Sequence, residues 1–248
     1  MDIPLEARSV EITGSGSDRI EAYLARPRGR TGYGGVVVIH HMPGYDAATK
    51  EITRRFASLG YAAVCPNLYS REAPGAEPDD AAATVRALGG VPDERLVGDV
   101  AGAAAYLRSL DGAAGRVGVI GYCSGGRQAF LAACSLDLQA AVDCYGAFVV
   151  EPVRDGLPPF RPLLDRAADL ACPLLGLFGA EDAHPAPEHT ATLAAELDRL
   201  GKSYDFHTYE GAGHGFFAVD RVSYRPEAAV DGWRRIDRFF RTTLEAAA

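Results

Sequence analysis

Residues 9–13 and 19–25 alternate apolar with polar positions around a turn at 14–18, the pattern of an antiparallel hairpin with one buried face. The pattern then changes to short, nearly continuous apolar runs at 35–40, 61–65, 117–121, 140–143 and 174–178. Runs of this kind suit strands buried on both faces of a parallel sheet. A further strand is expected over 204–209. Between the runs, Ile52/Phe56/Leu59, Leu96/Val100/Leu107 with Ala103 and Ala104, Leu193/Leu197/Leu200, and Trp233/Ile236/Phe240 each mark one face of an amphipathic helix. Alternation of strand and helix along the chain predicts a doubly wound, mostly parallel α/β sheet with helices on both faces, following the hairpin. No repeat or low-complexity linker divides residues 1–248, which read as one domain. The segments 70–80 and 150–162, rich in Pro, Gly and charge, are long for connections and are expected over the strand ends, where ligands bind in such sheets.

Composition narrows the partners. Apolar residues make up 48% and charged residues 23%, enough for a sizeable core. A net charge of −8 with scattered arginines argues against nucleic acid. The N-terminus lacks a secretory pattern and no run approaches the roughly eighteen apolar residues that span a bilayer, so a cytoplasmic protein without membrane contact is expected. Five cysteines without CxxC spacing suit neither a disulfide framework nor a zinc site, so no metal is expected. Cys65, Cys134, Cys144 and Cys172 read as small packing residues.

Cys123 differs. Residues 117–131 read as strand, sharp turn and alanine-rich helix, with Cys123 at the turn and glycines two before and two after it, Gly121 and Gly125. That is the context of a nucleophile elbow, whose strained turn needs small residues at both positions. Neither a Walker loop nor a dinucleotide fingerprint accounts for the glycines. Ser124 is a weaker nucleophile candidate, because Tyr122 would then stand where the turn needs a small residue. The start of a helix also favours a thiolate at Cys123.

Such a thiol needs an acid–base partner. His214 lies in a glycine-rich loop, 211–215, after the expected strand 204–209, whereas His207, His184 and His189 read as surface or packing residues. The chain order nucleophile, acid, histidine puts the acid after a strand between the two. Asp182 stands there, just past 174–178; strand-end position alone does not separate it from Glu181. Backbone N–H groups of Ser124 and of the turn 40–44 are the expected oxyanion donors, with Met42 favoured because Pro43 has no N–H.

Three segments carry a family resemblance over nearly the whole chain: Gly121-Tyr122-Cys123-Ser124-Gly125-Gly126, residues 60–69 (GYAAVCPNLY), and Ala212-Gly213-His214-Gly215-Phe216. They resemble motifs of the dienelactone hydrolase (carboxymethylenebutenolidase) family. The resemblance implies an α/β-hydrolase fold, Cys123, Asp182 and His214 as a triad, and hydrolysis of a small lactone or ester through a thioester, without cofactor. It also implies that Arg71 contacts a substrate carboxylate. A second family arginine would fall near Ala218, and a family glutamate is matched by His41, whose protonated ring would favour the Cys123 thiolate. Tyr145, just beyond the run 140–143, joins Arg71 and His41 as an expected substrate contact.

The expected partner is a small ester or lactone, bound by a monomer or homodimer. Two other classes fit the same residues. A catalytically silent binding protein of this fold would not require the full set of nucleophile, acid and base, and a thiol redox protein would call for a resolving cysteine close by.

Overall fold

The structure is a computed structural model that describes residues 4–151 and 161–245. Its strands are β1 (Leu5–Thr13), β2 (Arg19–Pro27), β3 (Tyr33–Ile39), β4 (Ala62–Pro66), β5 (Ala113–Tyr122), β6 (Ala140–Cys144), β7 (Leu174–Gly179) and β8 (Tyr204–Tyr209). They join in one sheet ordered β1-β2-β4-β3-β5-β6-β7-β8. β2 runs antiparallel to both neighbours, and the remaining pairs are parallel. This is the α/β-hydrolase architecture expected from the alternation of runs. The helices are α1 (Ala47–Ser58), α2 (Pro78–Ala87), α3 (Asp93–Ser109), α4 (Ser124–Ala133), α5 (Pro187–Arg199) and α6 (Pro226–Leu244).

The apolar runs are buried on both faces because successive side chains of a strand point to opposite sides. In β3, Val37 and Ile39 pack with residues of α2, α3, α4 and α5, while Val36 and Val38 pack with Phe56 of α1 and Ile236 and Phe240 of α6. The sheet therefore separates two cores. Phe56, Tyr61, Trp233 and Phe240 form an aromatic cluster in the second, with Phe56 5.3 Å from Trp233 and 5.8 Å from Phe240 between ring centroids.

Helix α2 begins inside the segment 70–80 that reads as a loop. Only Ala81, Ala82 and Val85 supply its buried stripe, too small to stand out as a periodic signal. The start signals are nonetheless present: proline in the first turn, followed by Asp79 and Asp80. Most of the segment 150–162 lies outside the described residues.

Arg71 has a different task from the one implied by resemblance. Its Nη1 and Nη2 donate to the two carboxylate oxygens of Asp99 at 2.8 Å each, its Nε donates to Asp18 at 2.7 Å, and Nη2 also reaches the Ser15 carbonyl. Asp99, on α3, is fully buried and accepts the Ser15 N–H as well. The guanidinium thus ties the β1–β2 turn to α3, and its donors are occupied by protein acceptors rather than turned to a ligand. Removing it would strand a buried carboxylate. Arg71→Ala is expected to lower the unfolding free energy by about 3–5 kcal/mol in chemical denaturation. A loss under about 1 kcal/mol would show that the pair does not hold the hairpin.

Candidate active site

β5 ends at Tyr122 and α4 begins at Ser124, leaving Cys123 alone in the turn with φ 57° and ψ −125°. A non-glycine residue persists in such a backbone only when its surroundings fix it. Here they do. The Cys123 N–H donates to the Cys144 carbonyl at 3.0 Å, locking the turn to β6, and the Cys123 carbonyl accepts from Gly126 N–H at 2.9 Å. A methyl group at Gly121 would lie 1.9 Å from the Gly125 carbonyl oxygen, and one at Gly125 would lie 2.6 Å from that of Ile39. The two glycines flanking Cys123 are thus required by contact. Cys123 is partly exposed, whereas the other four cysteines are buried. Burial pushes the thiols of Cys65 and Cys144 up, that of Cys134 to about 12 and that of Cys172 to about 11, consistent with unreactive packing groups.

Asp182 and His214, the candidate acid and base, lie just past the ends of β7 and β8. His214 Nδ1–H donates to Asp182 Oδ2 at 2.9 Å, and the other Asp182 oxygen accepts the His184 N–H at 2.8 Å. Asp182 is 4% exposed, while Glu181 is exposed. The two loops touch because Gly179 has no side chain: a methyl there would lie 2.3 Å from the Ala212 carbonyl oxygen. Phe216, fully buried, and Phe217 anchor the His214 loop in the second core. His214 is pushed up to about 10; burial opposes the cation, but hydrogen bonding to Asp182 and to Cys123 outweighs it. The imidazole is hydrogen-bonded to the Asp182 carboxylate, and both that bond and the neighbouring thiol favour its cationic form.

The turn after β3 is pinned by two residues that do not stand out in the sequence. His40 is 2% exposed; its Nδ1–H donates to the His41 carbonyl at 2.9 Å and its Nε2 accepts the Leu68 N–H at 3.3 Å. Burial lowers its pKa to about 4, so it stays neutral and keeps both bonds. Tyr69 stacks edge-on against it and donates its hydroxyl to the Met42 carbonyl at 2.9 Å. Neither the Met42 N–H nor the Ser124 N–H, at the head of α4, donates to any described acceptor. Two oriented, unused donors are what a developing oxyanion needs.

A cavity of about 370 Å³ opens alongside, lined by Tyr122 next to Cys123, by His41 next to Met42, and by Phe217 and Ala218 after His214. Tyr145 also lines it and sets its ring edge-on to His214, 5.1 Å between centroids. His41 also lines this space, and its Nε2 is 2.7 Å from Asp46 Oδ2. Asp46 is held at about 2: burial opposes its charge, and hydrogen bonds from His41 and the Thr49 N–H more than compensate. The His41 ring is therefore engaged by Asp46. Among the described residues no cluster of three His, Cys, Asp or Glu could hold a metal, and no helix is long and apolar enough to cross a membrane.

The profile of the dienelactone hydrolase family matches residues 20–244. The chain belongs to that family. A relative from Methylorubrum extorquens, named "Putative carboxymethylenebutenolidase", is 36% identical over 226 residues, 90% of this chain and 76% of that protein. A relative from Bradyrhizobium sp., named "Probable 2-oxo-3-(5-oxofuran-2-ylidene)propanoate lactonase", is 31% identical over 227 residues, 90% of this chain and 89% of that protein. The crystal structure titled as a putative dienelactone hydrolase from Klebsiella pneumoniae superposes with a TM-score of 0.84 at 31% identity, covering 96% of this chain and 98% of the other. This dienelactone hydrolase family member is accordingly a hydrolase of α/β-hydrolase fold.

If His214 acts as the proton donor, activity is expected to persist through neutral pH and to fall as the pH rises through about 10, where the ring loses its proton. Asp182→Asn removes a carboxylate that favours the cation. The falling limb of kcat/KM should then move to lower pH by about 1 unit or more, and kcat should drop about 10²- to 10⁴-fold. An unshifted limb, or a larger loss in Glu181→Gln, would contradict the assignment of the acid.

Proposed function

We propose that the protein is a carboxylic ester hydrolase acting on a small lactone or ester, with Cys123 as nucleophile, His214 as acid and base, and Asp182 orienting His214. The observation that supports this reading is that the ends of β3, β5, β7 and β8 on one side of the sheet carry a cysteine in a forced turn at a helix head, a histidine hydrogen-bonded to a buried carboxylate, and two N–H groups with no described acceptor. The name of the Bradyrhizobium relative, a lactonase, supports the lactone side of the proposal.

The residues divide the chemistry as follows. The Cys123 thiolate adds to the carbonyl carbon, and the C=O π electrons move to oxygen, which the Met42 and Ser124 N–H groups receive. Collapse restores the carbonyl, breaks the C–O bond and releases an alkoxide that takes the His214 Nε2 proton. A lactone opens here, its alcohol still attached to the acyl chain. His214, now neutral, takes a proton from water as the hydroxyl adds to the thioester, and the second collapse expels the thiolate and frees the acid. Asp182 holds the Nδ1–H throughout, so that Nε2 faces the reacting atoms.

The full set of acid, base and oriented donors supports turnover over a silent binding role. The other four thiols are buried and raised in pKa, which disfavours the thiolate that a resolving cysteine must supply. Cys123→Ala is expected to lower kcat/KM for an aryl ester by about 10³-fold or more while leaving the circular dichroism spectrum and unfolding midpoint close to wild type, because the glycines and not the sulfur fix the turn. Retention of more than about a tenth of kcat/KM, a loss under about 1.4 kcal/mol, would exclude Cys123 as the nucleophile.

A further inference from the structure

The turn at Cys123 has a counterpart one strand away. Tyr145, the residue after β6, has φ 46°, a left-handed backbone that a bulky aromatic residue adopts only when its surroundings impose it. It is 3% exposed, and its ring stands edge-on to His214, 5.1 Å between centroids, and to Phe216 at 5.2 Å. Its N–H donates to the Leu177 carbonyl at 2.9 Å, which fixes one side of the turn to β7. Asp143 fixes the other side: its Oδ1 accepts the Gly146 N–H at 2.7 Å, closing a side-chain loop around Tyr145. Between the two lies Cys144, whose carbonyl accepts the Cys123 N–H. The two strained turns are therefore joined.

Asp143 also touches the head of α4. A methyl group at Gly126 would lie 2.3 Å from Asp143 Oδ1, and one at Gly146 would lie 2.4 Å from it, so the oxygen occupies a slot that any side chain at either position would close. The carboxyl is 1% exposed, and its second oxygen has no hydrogen-bond partner among the described residues. Burial pushes its pKa up to about 7, with the Gly146 N–H acting the other way. Its titratable neighbours offer no compensating contact. Cys144 is buried, and Glu151 and His189, which share with Asp143 the walls of a cavity of about 10 Å³, pair with each other at 3.5 Å. That cavity has room for about one water. A carboxyl placed in this way opposes folding. What the structure gains from it is the bond to Gly146, and with that bond the fixed turn beneath the Tyr145 ring.

We propose that Asp143 is a positioning residue of the active site: its Oδ1, wedged between Gly126 and Gly146, holds Tyr145 in its left-handed turn, and the Tyr145 ring in turn fixes the plane of the His214 imidazole. What acts is an acceptor at this place, not a charge, and the amide oxygen of an asparagine would supply the same acceptor in the same space. The inference rests on the hydrolase reading for its kinetic consequence but not for its effect on the His214 ring.

Two measurements test it. The first follows the ring-proton resonance of His214 by NMR, assigned among the six histidines of the chain by its absence from His214→Gln. An aromatic ring held edge-on at this distance shifts that resonance, so Asp143→Ala is expected to move it and Asp143→Asn to leave it at the wild-type position. The second is hydrolysis of 4-nitrophenyl acetate. Asp143→Ala is expected to lower kcat by about 10- to 100-fold with KM changed by less than about threefold, and Asp143→Asn to keep kcat within about threefold of wild type. Asp143→Val takes the place of the alanine variant if that one does not fold. A wild-type kcat and His214 resonance in the folded alanine or valine variant would make Asp143 a structural residue of β6 and overturn the proposal. So would a loss in Asp143→Asn as large as in Asp143→Ala. Failure of the wild-type protein to turn over the ester would instead count against the hydrolase reading, and the NMR comparison would still decide the positioning role.

Discussion

The geometry of the site depends on one contact between backbones: the near-collision of Gly121 with the Gly125 carbonyl across the turn at Cys123. The chain leaves β5 and enters α4 within a single residue, so that residue must accept a left-handed backbone, and a β-carbon on either flank would force the turn open. What results is a sulfur lifted above the sheet edge, at a helix start with an unused N–H beside it. The strain is local. The Cys123 N–H bond to the Cys144 carbonyl and helix α4, buried from Gly125 to Ala133, make it sustainable.

The partners of Cys123 come from loops that are positioned by packing rather than by their own conformation. Gly179 lets the Asp182 turn lie against the Ala212 carbonyl, and Phe216 and Phe217 fasten the His214 loop to Tyr145 and, through Phe217, to Trp233. Tyr145, Phe217 and Trp233 of this cluster also wall the cavity, so the shape of the cavity and the placement of His214 are set together. On the other side, neutral His40 and the Tyr69 hydroxyl hold the turn that presents Met42. A protonated His40 would need a second acceptor where the Leu68 N–H now points, which is why its burial matters to the oxyanion donors.

Most of the sheet was legible because buried parallel strands leave uninterrupted apolar runs, and the elbow was legible because its sterics demand glycine at fixed spacing. Helix α2 was not, since three small side chains bury too little surface to mark a period. By strand-end position alone Asp182 and Glu181 could not be told apart; the resemblance favoured Asp182, and it is Asp182 that is buried and bonded to His214. Arg71 misled for a related reason: a motif places a guanidinium in a loop but says nothing of Asp99, 28 positions later, which comes close only when α3 folds against the hairpin. The parts played by His40 and Tyr69 in pinning the turn after β3 were likewise invisible, because their contacts come from residues distant in sequence, such as Leu68 and Met42.

The central claim is that the acyl group passes through the sulfur of Cys123. It is tested most directly by mixing the wild-type protein with a 4-nitrophenyl ester, quenching in acid during the first turnover, and mapping the modified peptide by mass spectrometry. The account expects one acyl group on Cys123, released by hydroxylamine and absent from Cys123→Ala. An acyl group on Ser124, or continued turnover by Cys123→Ala, would contradict it.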